Sequence, residues 1–119
     1  MGSAFGRRIK QRRRELDLSL RKVCQDVRNE DGKPISVSYL NDIEQGYRNP
    51  PNGKIVMHLA RVLQLDEEEL LHMAGKAHPL IEEASKNKQV GMLFRKIAKE
   101  VSRDPGVIDR VRKAIEGGA

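Results

Sequence analysis

The sequence predicts an all-α protein, and three observations support that prediction. Apolar residues recur every three or four positions in successive segments, which is the spacing of one face of a helix. Serine, aspartate and glycine residues stand at the ends of these segments, where such residues cap helices. No segment alternates apolar and polar residues as a half-buried strand does, and the chain has no internal repeat. Eight helices are therefore expected in the 119 residues.

Five of these helices are expected before residue 76. The first three and the fifth each follow a side chain that can cap a first turn, and these expected N-caps are Ser3, Ser19, Ser36 and Asp66. The third and fifth are expected to end at Gly46 and Gly75, since glycine adopts the left-handed conformation freely. The fourth follows a loop rich in Asn and Pro. The inner faces supply the predicted core: Phe5, Ile9, Leu16, Leu20, Val23, Cys24, Val27, Leu40, Ile43, Val56, Leu59, Ala60, Leu63, Leu70, Leu71 and Ala74.

The remaining three helices form a predicted C-terminal tail. A hinge is expected over residues 76–79, so the sequence predicts one domain over 1–75 and a helical region over 76–119. Pro79 begins a short helix, and a longer one follows. Asp104 and Pro105 are expected as N-cap and first residue of the last helix, which should end at Gly117 and Gly118.

The tail carries an apolar stripe that the first domain does not need for its own core. It consists of Val90, Leu93, Phe94, Ile97, Val101, Val107, Ile108, Val111 and Ile115. A helical hairpin of this size is marginal alone, so we expect two copies to pack through the stripe as a C2 homodimer. Two alternatives stay open: the tail folds back on its own domain, or it holds a second protein.

Composition excludes several classes of function. A single cysteine excludes a disulfide framework and a thiolate metal cluster, and the three histidines show no metal-ligand spacing. No nucleophile and base are placed to work together, so we expect neither an enzyme nor a cofactor. No apolar run is long enough to span a membrane and no signal peptide is recognisable, so a cytoplasmic location is expected.

The net charge of +6 is unevenly distributed. Residues 1–28 hold nine basic and three acidic residues, whereas residues 29–75 hold four basic and eight acidic ones. Residues 76–119 hold ten basic and six acidic residues. The basic excess in the first two helices favours an anionic partner, although charge alone identifies none.

Three segments together point to a family. The chain opens with Phe-Gly-Arg-Arg-Ile-Lys at residues 5–10, and Arg-Arg-Glu-Leu-Asp-Leu-Ser-Leu follows at residues 13–20. Residues 36–50 then contain the pattern Ser-x-x-Tyr-Leu-x-x-Ile-Glu-x-Gly-x-Arg-x-Pro. Over residues 5–74 the chain closely resembles the Xre family of Cro- and phage-repressor-type helix-turn-helix proteins. The resemblance implies a five-helix, lambda-repressor-like domain and a transcriptional regulator, most often a repressor, that binds double-stranded DNA.

The resemblance implies that the third helix enters the major groove with its N-terminal residues at base edges. The candidates are Val37, Ser38, Asn41 and Asp42. Valine can pack on a thymine methyl group, serine can bond several bases, and asparagine can bond adenine. Asp42 could accept from the cytosine amino group, but it would also repel phosphate, and the alternative that it merely faces solvent stays open.

Affinity is expected to come from backbone contacts. The resemblance places them at the start of the second helix, on the third helix and in the loop after it, and Lys33 in the long loop before the third helix is a further candidate. The candidates are Ser19, Leu20, Arg21, Lys22, Lys33, Tyr39, Tyr47, Arg48 and Asn49. It also implies a structural pair between Arg13 and Glu44. The other basic residues of the first helix are expected mainly on a solvated face, with the alternative open that one or two of them contact DNA; these residues are Arg7, Arg8, Lys10, Arg12 and Arg14.

Two features depart from the family pattern. Eight residues separate Val27 from Ser36, whereas the turn of the motif usually has about four. This loop could bulge outward, contact DNA through Lys33, or contact a protein through Glu30 and Asp31. Gly53 stands where an apolar residue is usual, so an irregular start of the fourth helix is expected.

The alternative class of function is an interaction protein. An antitoxin-like or antirepressor-binding module would use the tail to hold a regulatory partner such as an antirepressor, a peptidase or a toxin. RNA binding is disfavoured, because the sequence predicts no sheet that could carry stacking aromatic residues.

Overall fold

The structure, a computed structural model, describes residues 3–117 and is all-helical, as the sequence predicts. Within those residues there is no strand, and one isolated antiparallel bridge joins Arg28 and Pro34. The helices are α1 (Ala4–Glu15), α2 (Leu20–Asp26), α3 (Val37–Gln45), α4 (Gly53–Val62), α5 (Glu67–Ala74), α6 (Pro79–Ser85), α7 (Lys88–Arg103) and α8 (Val107–Glu116).

Side-chain caps define where the helices begin. The four predicted N-caps are confirmed: Ser3, Ser19, Ser36 and Asp66 each accept a hydrogen bond of 2.8–3.0 Å from a backbone N–H three residues later. Asn52 caps α4 in the same way, accepting from the Ile55 N–H at 3.0 Å. The predicted helix ends are also confirmed, since Gly46 and Gly75 are left-handed.

The chain divides into two compact units, the first reaching Pro79 and the second beginning at Leu80. The core of the first unit joins α1–α5. Its buried hydrophobic residues are Phe5, Ile9, Val23, Cys24, Val27, Ile35, Leu40, Ile43, Ile55, Val56, Leu59, Ala60, Leu63, Leu70, Leu71 and Ala74. Leu16 and Leu20, which are predicted core residues, are only half-buried. Ile35 and Ile55 join the core without having been predicted.

Gly53 permits a close approach between the start of α4 and the segment after α5. A Cβ atom at Gly53 would lie 2.9 Å from the Ala77 carbonyl oxygen, closer than a side chain tolerates. The expectation of an irregular start is wrong, because Asn52 caps a regular first turn that begins at Gly53 itself. The close approach also ties Ala77 to the first unit, whereas the sequence predicts a domain boundary after Gly75.

In the second unit, α7 and α8 pack against each other, but across residues 80–117 no hydrophobic side chain is fully buried. The predicted stripe lies on these two helices. Its half-buried members are Val90, Ile97, Val101, Val107 and Val111, and its exposed members are Leu93, Phe94, Ile108 and Ile115. The two helices leave an apolar groove of about 330 Å³.

The start of α8 differs from the prediction. Helical geometry begins at Val107, because Asp104 and Pro105 accept from the N–H groups three residues later and form a tighter turn. Asp104 still caps this turn by accepting from the Gly106 N–H at 2.9 Å. The last helix ends at Glu116, and Gly118 lies outside the described residues.

Gly6 offers a test of how closely α1 and α3 pack. A Cβ at this position would overlap the Ile43 carbonyl oxygen and lie 2.9 Å from that of Glu44. Backbone cannot move aside as a flexible side chain does, so Gly6→Ala should destabilise the domain by about 1–3 kcal/mol despite alanine's higher helix propensity. The measurement is urea unfolding, with Gln11→Ala on the exposed face of α1 as the control. A Gly6→Ala variant as stable as the unchanged protein would contradict the close packing.

Candidate nucleic-acid interface

A buried ion pair holds α3 on α1. The Arg13 Nε donates to Glu44 Oε2 at 2.8 Å and its Nη2 donates to Glu44 Oε1 at 2.9 Å, which makes the pair bidentate. The third nitrogen, Nη1, donates to the Leu18 carbonyl oxygen at 2.9 Å. Glu44 is only 3% exposed, and its hydrogen bond raises the pKa of Arg13. The guanidinium is therefore fully engaged inside the protein.

The opposite face of α3 is open. Val37 is 39% exposed and Ser38 is also exposed, while Asn41 and Asp42 are partly so. Positions i, i+1, i+4 and i+5 lie on one side of a helix, so the structure brings together the four candidate base-contact residues. On the other side of the helix, Leu40 and Ile43 are buried in the core. This exposed surface, called the α3 face below, carries one charge, that of Asp42.

The end of α3 is shaped by a Schellman turn. Left-handed Gly46 allows the Tyr47 N–H to donate to the Asp42 carbonyl oxygen at 2.8 Å, while the Gly46 N–H donates to the Ile43 carbonyl oxygen at 3.1 Å. The turn brings Tyr47, Arg48 and the following loop directly beside the helix. Tyr47 is 77% exposed and Asn49 is exposed as well, so neither packs into the core.

Arg48 contacts two residues of α3. Its Nε lies 3.7 Å from Asp42 Oδ2, and its Cζ lies 5.4 Å from the centre of the Tyr39 ring, within the range of a cation–π contact. Tyr39 itself is half-buried and packs against the core. The sequence predicts neither contact, because the pair spans six residues and depends on the turn at Gly46.

The start of α2 is the second expected backbone-contact region. Ser19 caps the helix, and Arg21 and Lys22 are exposed. Leu20 is half-buried against the core, so only its backbone N–H remains suited to a phosphate. Lys22 also lies 3.9 Å from Asp26, four residues later on α2.

The basic residues of α1 are not all on a solvated face. The Arg12 Nε donates to the Leu63 carbonyl oxygen at 2.9 Å, at the C-terminal end of α4 where a cation is favoured. The same side chain pairs with Glu15 at 3.1 Å. Arg12 therefore stabilises helix packing and is an exception to the solvated face expected of this group.

The long loop before α3 folds into a small closed structure. The Ile35 N–H donates to the Val27 carbonyl oxygen at 3.0 Å, and the Asn29 N–H donates to that of Lys33 at 2.8 Å. The Asn29 Oδ1 accepts from the N–H groups of Asp31 and Lys33, and Gly32 supplies the left-handed residue of the turn. The Asp-Gly pair predicts a turn in this stretch of the sequence, and the side chain of Asn29 supplies the hydrogen bonds that close it.

Two contacts join this loop to α4. The Arg28 N–H donates to His58 Nδ1 at 3.3 Å, and Asn52 Nδ2 donates to Glu30 Oε1 at 3.0 Å. Glu30 is thus already bonded within the chain, whereas Lys33 is exposed. A cleft of about 580 Å³ lies between the loop and α3, and Tyr39 and Arg48 are among its lining residues.

Cys24 lies inside the first unit, behind the start of α3. Its thiol donates to the Ser36 carbonyl oxygen at 3.5 Å, and burial raises the pKa of the Cys24 thiol. Among the described residues no group of three or more His, Cys, Asp or Glu side chains could hold a metal ion. Within the same residues no helix is long and apolar enough to cross a membrane.

A family model described as a helix-turn-helix domain matches residues 4–73, which extend from α1 into α5 and include the α3 face. No curated protein and no solved structure matches the chain.

Removing the charge of Glu44 from the buried pair between α1 and α3 should strongly lower the free energy of unfolding. Glu44→Gln leaves the Arg13 guanidinium buried without a counter-charge, so it should destabilise the domain by about 3–5 kcal/mol. Glu15→Gln, which breaks an exposed pair with Arg12, should cost less than about 1 kcal/mol. Urea unfolding measures both variants. Equal losses would show that the Arg13–Glu44 pair contributes no more than a surface contact.

Proposed function

The chain belongs to the helix-turn-helix domain family, and from this premise we propose that it is a transcriptional regulator that binds double-stranded DNA sequence-specifically. We assign it to the Xre type, with α1–α5 as a lambda-repressor-like domain. We further propose that it is a cytoplasmic repressor that acts by occupying its operator. The α3 face carries the proposal. It presents two small polar side chains and a valine to solvent, while Glu44 anchors the opposite side of the helix.

The proposed docking mode inserts the first half of α3 into the major groove. Ser38 and Asn41 then reach base edges, Val37 packs on a thymine methyl group, and Asp42 faces the groove beside them. The start of α2 contacts one backbone through Ser19, the Leu20 N–H, Arg21 and Lys22. The loops flanking α3 contribute Lys33 before it, and Tyr47, Arg48 and Asn49 after it, with the Tyr39 hydroxyl as a further backbone contact.

Dimerisation is proposed to occur through the tail. The groove between α7 and α8 and the exposed Leu93 and Phe94 form an apolar surface that the second unit does not bury in its own chain. A unit of about 40 residues with no buried core is not expected to be stable unless something covers that surface. A second copy would cover it and would present two α3 faces to the halves of a palindrome, about one helical turn apart.

The same surface supports a second candidate function. An antitoxin-like or antirepressor-binding module would hold a regulatory protein, such as an antirepressor, a peptidase or a toxin, against the groove of α7 and α8. The molar mass of the purified chain separates the two proposals. A dimer in the absence of other proteins supports homodimerisation, whereas a monomer that associates only with a neighbour encoded nearby supports the second candidate.

Base contacts and backbone contacts should respond differently to substitution. Ser38→Ala should relax sequence preference at one position by about 1–3 kcal/mol, because it removes a base contact and leaves the charge unchanged. Arg21→Ala should weaken binding to all sequences alike and reduce the slope of log K against log salt by about 0.9. Selection from a random duplex pool and salt titrations measure the two effects. If both variants bind like the unchanged protein, the proposed docking mode is wrong.

Removing the tail should separate dimerisation from folding. A chain that ends at Pro79 retains the first unit and its complete core, so it should fold as a monomer and bind a half-site more weakly than the full chain binds a palindrome. Sedimentation equilibrium gives the mass, and circular dichroism gives the helix content. A truncated chain that remains dimeric would exclude the tail as the dimerisation region.

A further inference from the structure

Arg48 stands where the α3 face meets the proposed backbone contacts. Its backbone N–H donates to the Asp42 carbonyl oxygen at 3.3 Å, so its main chain stays beside the helix. Its side chain reaches both Asp42 and Tyr39. One residue therefore touches both a candidate base reader and a candidate backbone contact.

The contact between Arg48 and Asp42 is easily broken. At 3.7 Å between Nε and Oδ2 it is an ion pair too long for a good hydrogen bond, and the two side chains are 60% and 34% exposed. A phosphate can instead accept two short, charge-assisted hydrogen bonds from the same guanidinium. In a DNA complex the phosphate is therefore the stronger partner for Arg48.

Tyr39 gives the guanidinium a fixed support during such a change. Its ring is held against the core, and the Arg48 Cζ lies 5.4 Å from the ring centre. An arginine stacked over an aromatic ring retains its N–H groups for in-plane partners. The guanidinium can thus turn from Asp42 towards a phosphate without leaving the ring.

Separation of the Arg48 side chain from Asp42 changes which groups the Asp42 carboxylate can bind. While paired, its carboxylate is partly neutralised. Once unpaired on a face that enters the major groove, the carboxylate needs a hydrogen-bond donor. The amino groups of cytosine and adenine are the donors exposed there, and the adenine amino group lies beside the N7 acceptor, which would repel a carboxylate. Guanine at that position would present only the acceptors N7 and O6, and these would repel the Asp42 carboxylate.

We propose that Arg48 exchanges partners on binding DNA, leaving the Asp42 carboxylate for a backbone phosphate, and that the released carboxylate selects cytosine. The inference rests on the proposed function, because it requires α3 to lie in the major groove. It makes Asp42 a specificity determinant whose charge is shielded until a backbone contact forms.

The chain provides a matched control. Arg61 pairs with Glu67 at 2.8 Å on α4 and α5, and these side chains have the same exposures, 60% and 34%, as Arg48 and Asp42. Arg48→Gln should reduce the slope of log K against log salt by about 0.9 on a random duplex, since one phosphate contact is lost. Arg61→Gln should leave that slope unchanged. Both substitutions are at the surface, so thermal unfolding should stay close to that of the unchanged protein.

Sequence selection tests the second half of the proposal. Asp42→Asn should abolish a preference for cytosine at one position of the selected site, a change on the order of tenfold. It should also strengthen binding to random duplex, because a charge that repels phosphate is removed. Glu67→Gln should alter neither property.

The exchange itself has a spectroscopic signature. In the free protein the Arg48 Nε–H resonance should move when Asp42 is replaced by Asn, since the two groups are paired. In the complex with duplex DNA the resonance should no longer depend on residue 42. A resonance that still responds to residue 42 in the complex, or an Arg48→Gln slope equal to that of Arg61→Gln, would overturn the exchange while leaving DNA binding intact. Failure of the unchanged protein to bind any duplex would overturn the proposed function as well.

Discussion

The position of α3 depends on the buried pair between Arg13 and Glu44. The two hydrogen bonds of this pair fix the side of α3 that faces away from solvent, and the third nitrogen of Arg13 ties the same guanidinium to the turn at Leu18. Gly6, seven residues earlier on the same face of α1, allows backbone contact with the end of α3. Because α3 is held from behind in this way, its exposed face needs no support from its own side chains. Substitutions on that face should therefore cost little folding stability.

The long loop before α3 has its own internal hydrogen bonds. The loop closes on itself through Asn29, and Val27 and Ile35 are joined by a hydrogen bond, so its extra residues project from a fixed base. Closure of a longer loop adds little entropy cost, and the side chains of Ile35 and Cys24 are buried on either side of the start of α3. The residues beyond the usual short turn thus form a surface beside the start of α3.

The sequence predicts the local features of this fold better than the contacts across it. Helix starts follow from Ser3, Ser19, Ser36 and Asp66, because a cap is decided by residues three positions apart. The Arg13–Glu44 pair was expected from family resemblance, not from spacing. The Arg48–Asp42 pair and the Arg12 contact with the end of α4 were not predicted, since each depends on where another element lies. Gly53 is similar: its close approach to Ala77 has no signal near it in the sequence.

These contacts reduce the number of basic residues that are available to bind an anionic partner. Among the basic residues of 1–28, Arg13 forms an ion pair with Glu44, and Arg12 donates a hydrogen bond to the end of α4. Of the cations that remain, Arg21 and Lys22 lie at the start of α2 and Lys33 lies in the loop before α3, while α3 itself carries none. A cation at the rim neutralises phosphate without distinguishing sequences, whereas a neutral polar side chain in the groove distinguishes bases and adds little long-range attraction. No lysine or arginine lies on α3, and Asp42 is the single charge on its exposed face. In the proposed docking mode affinity therefore comes from the rim and selectivity from the α3 face, and Arg48, which pairs with Asp42 in the free protein, links the two.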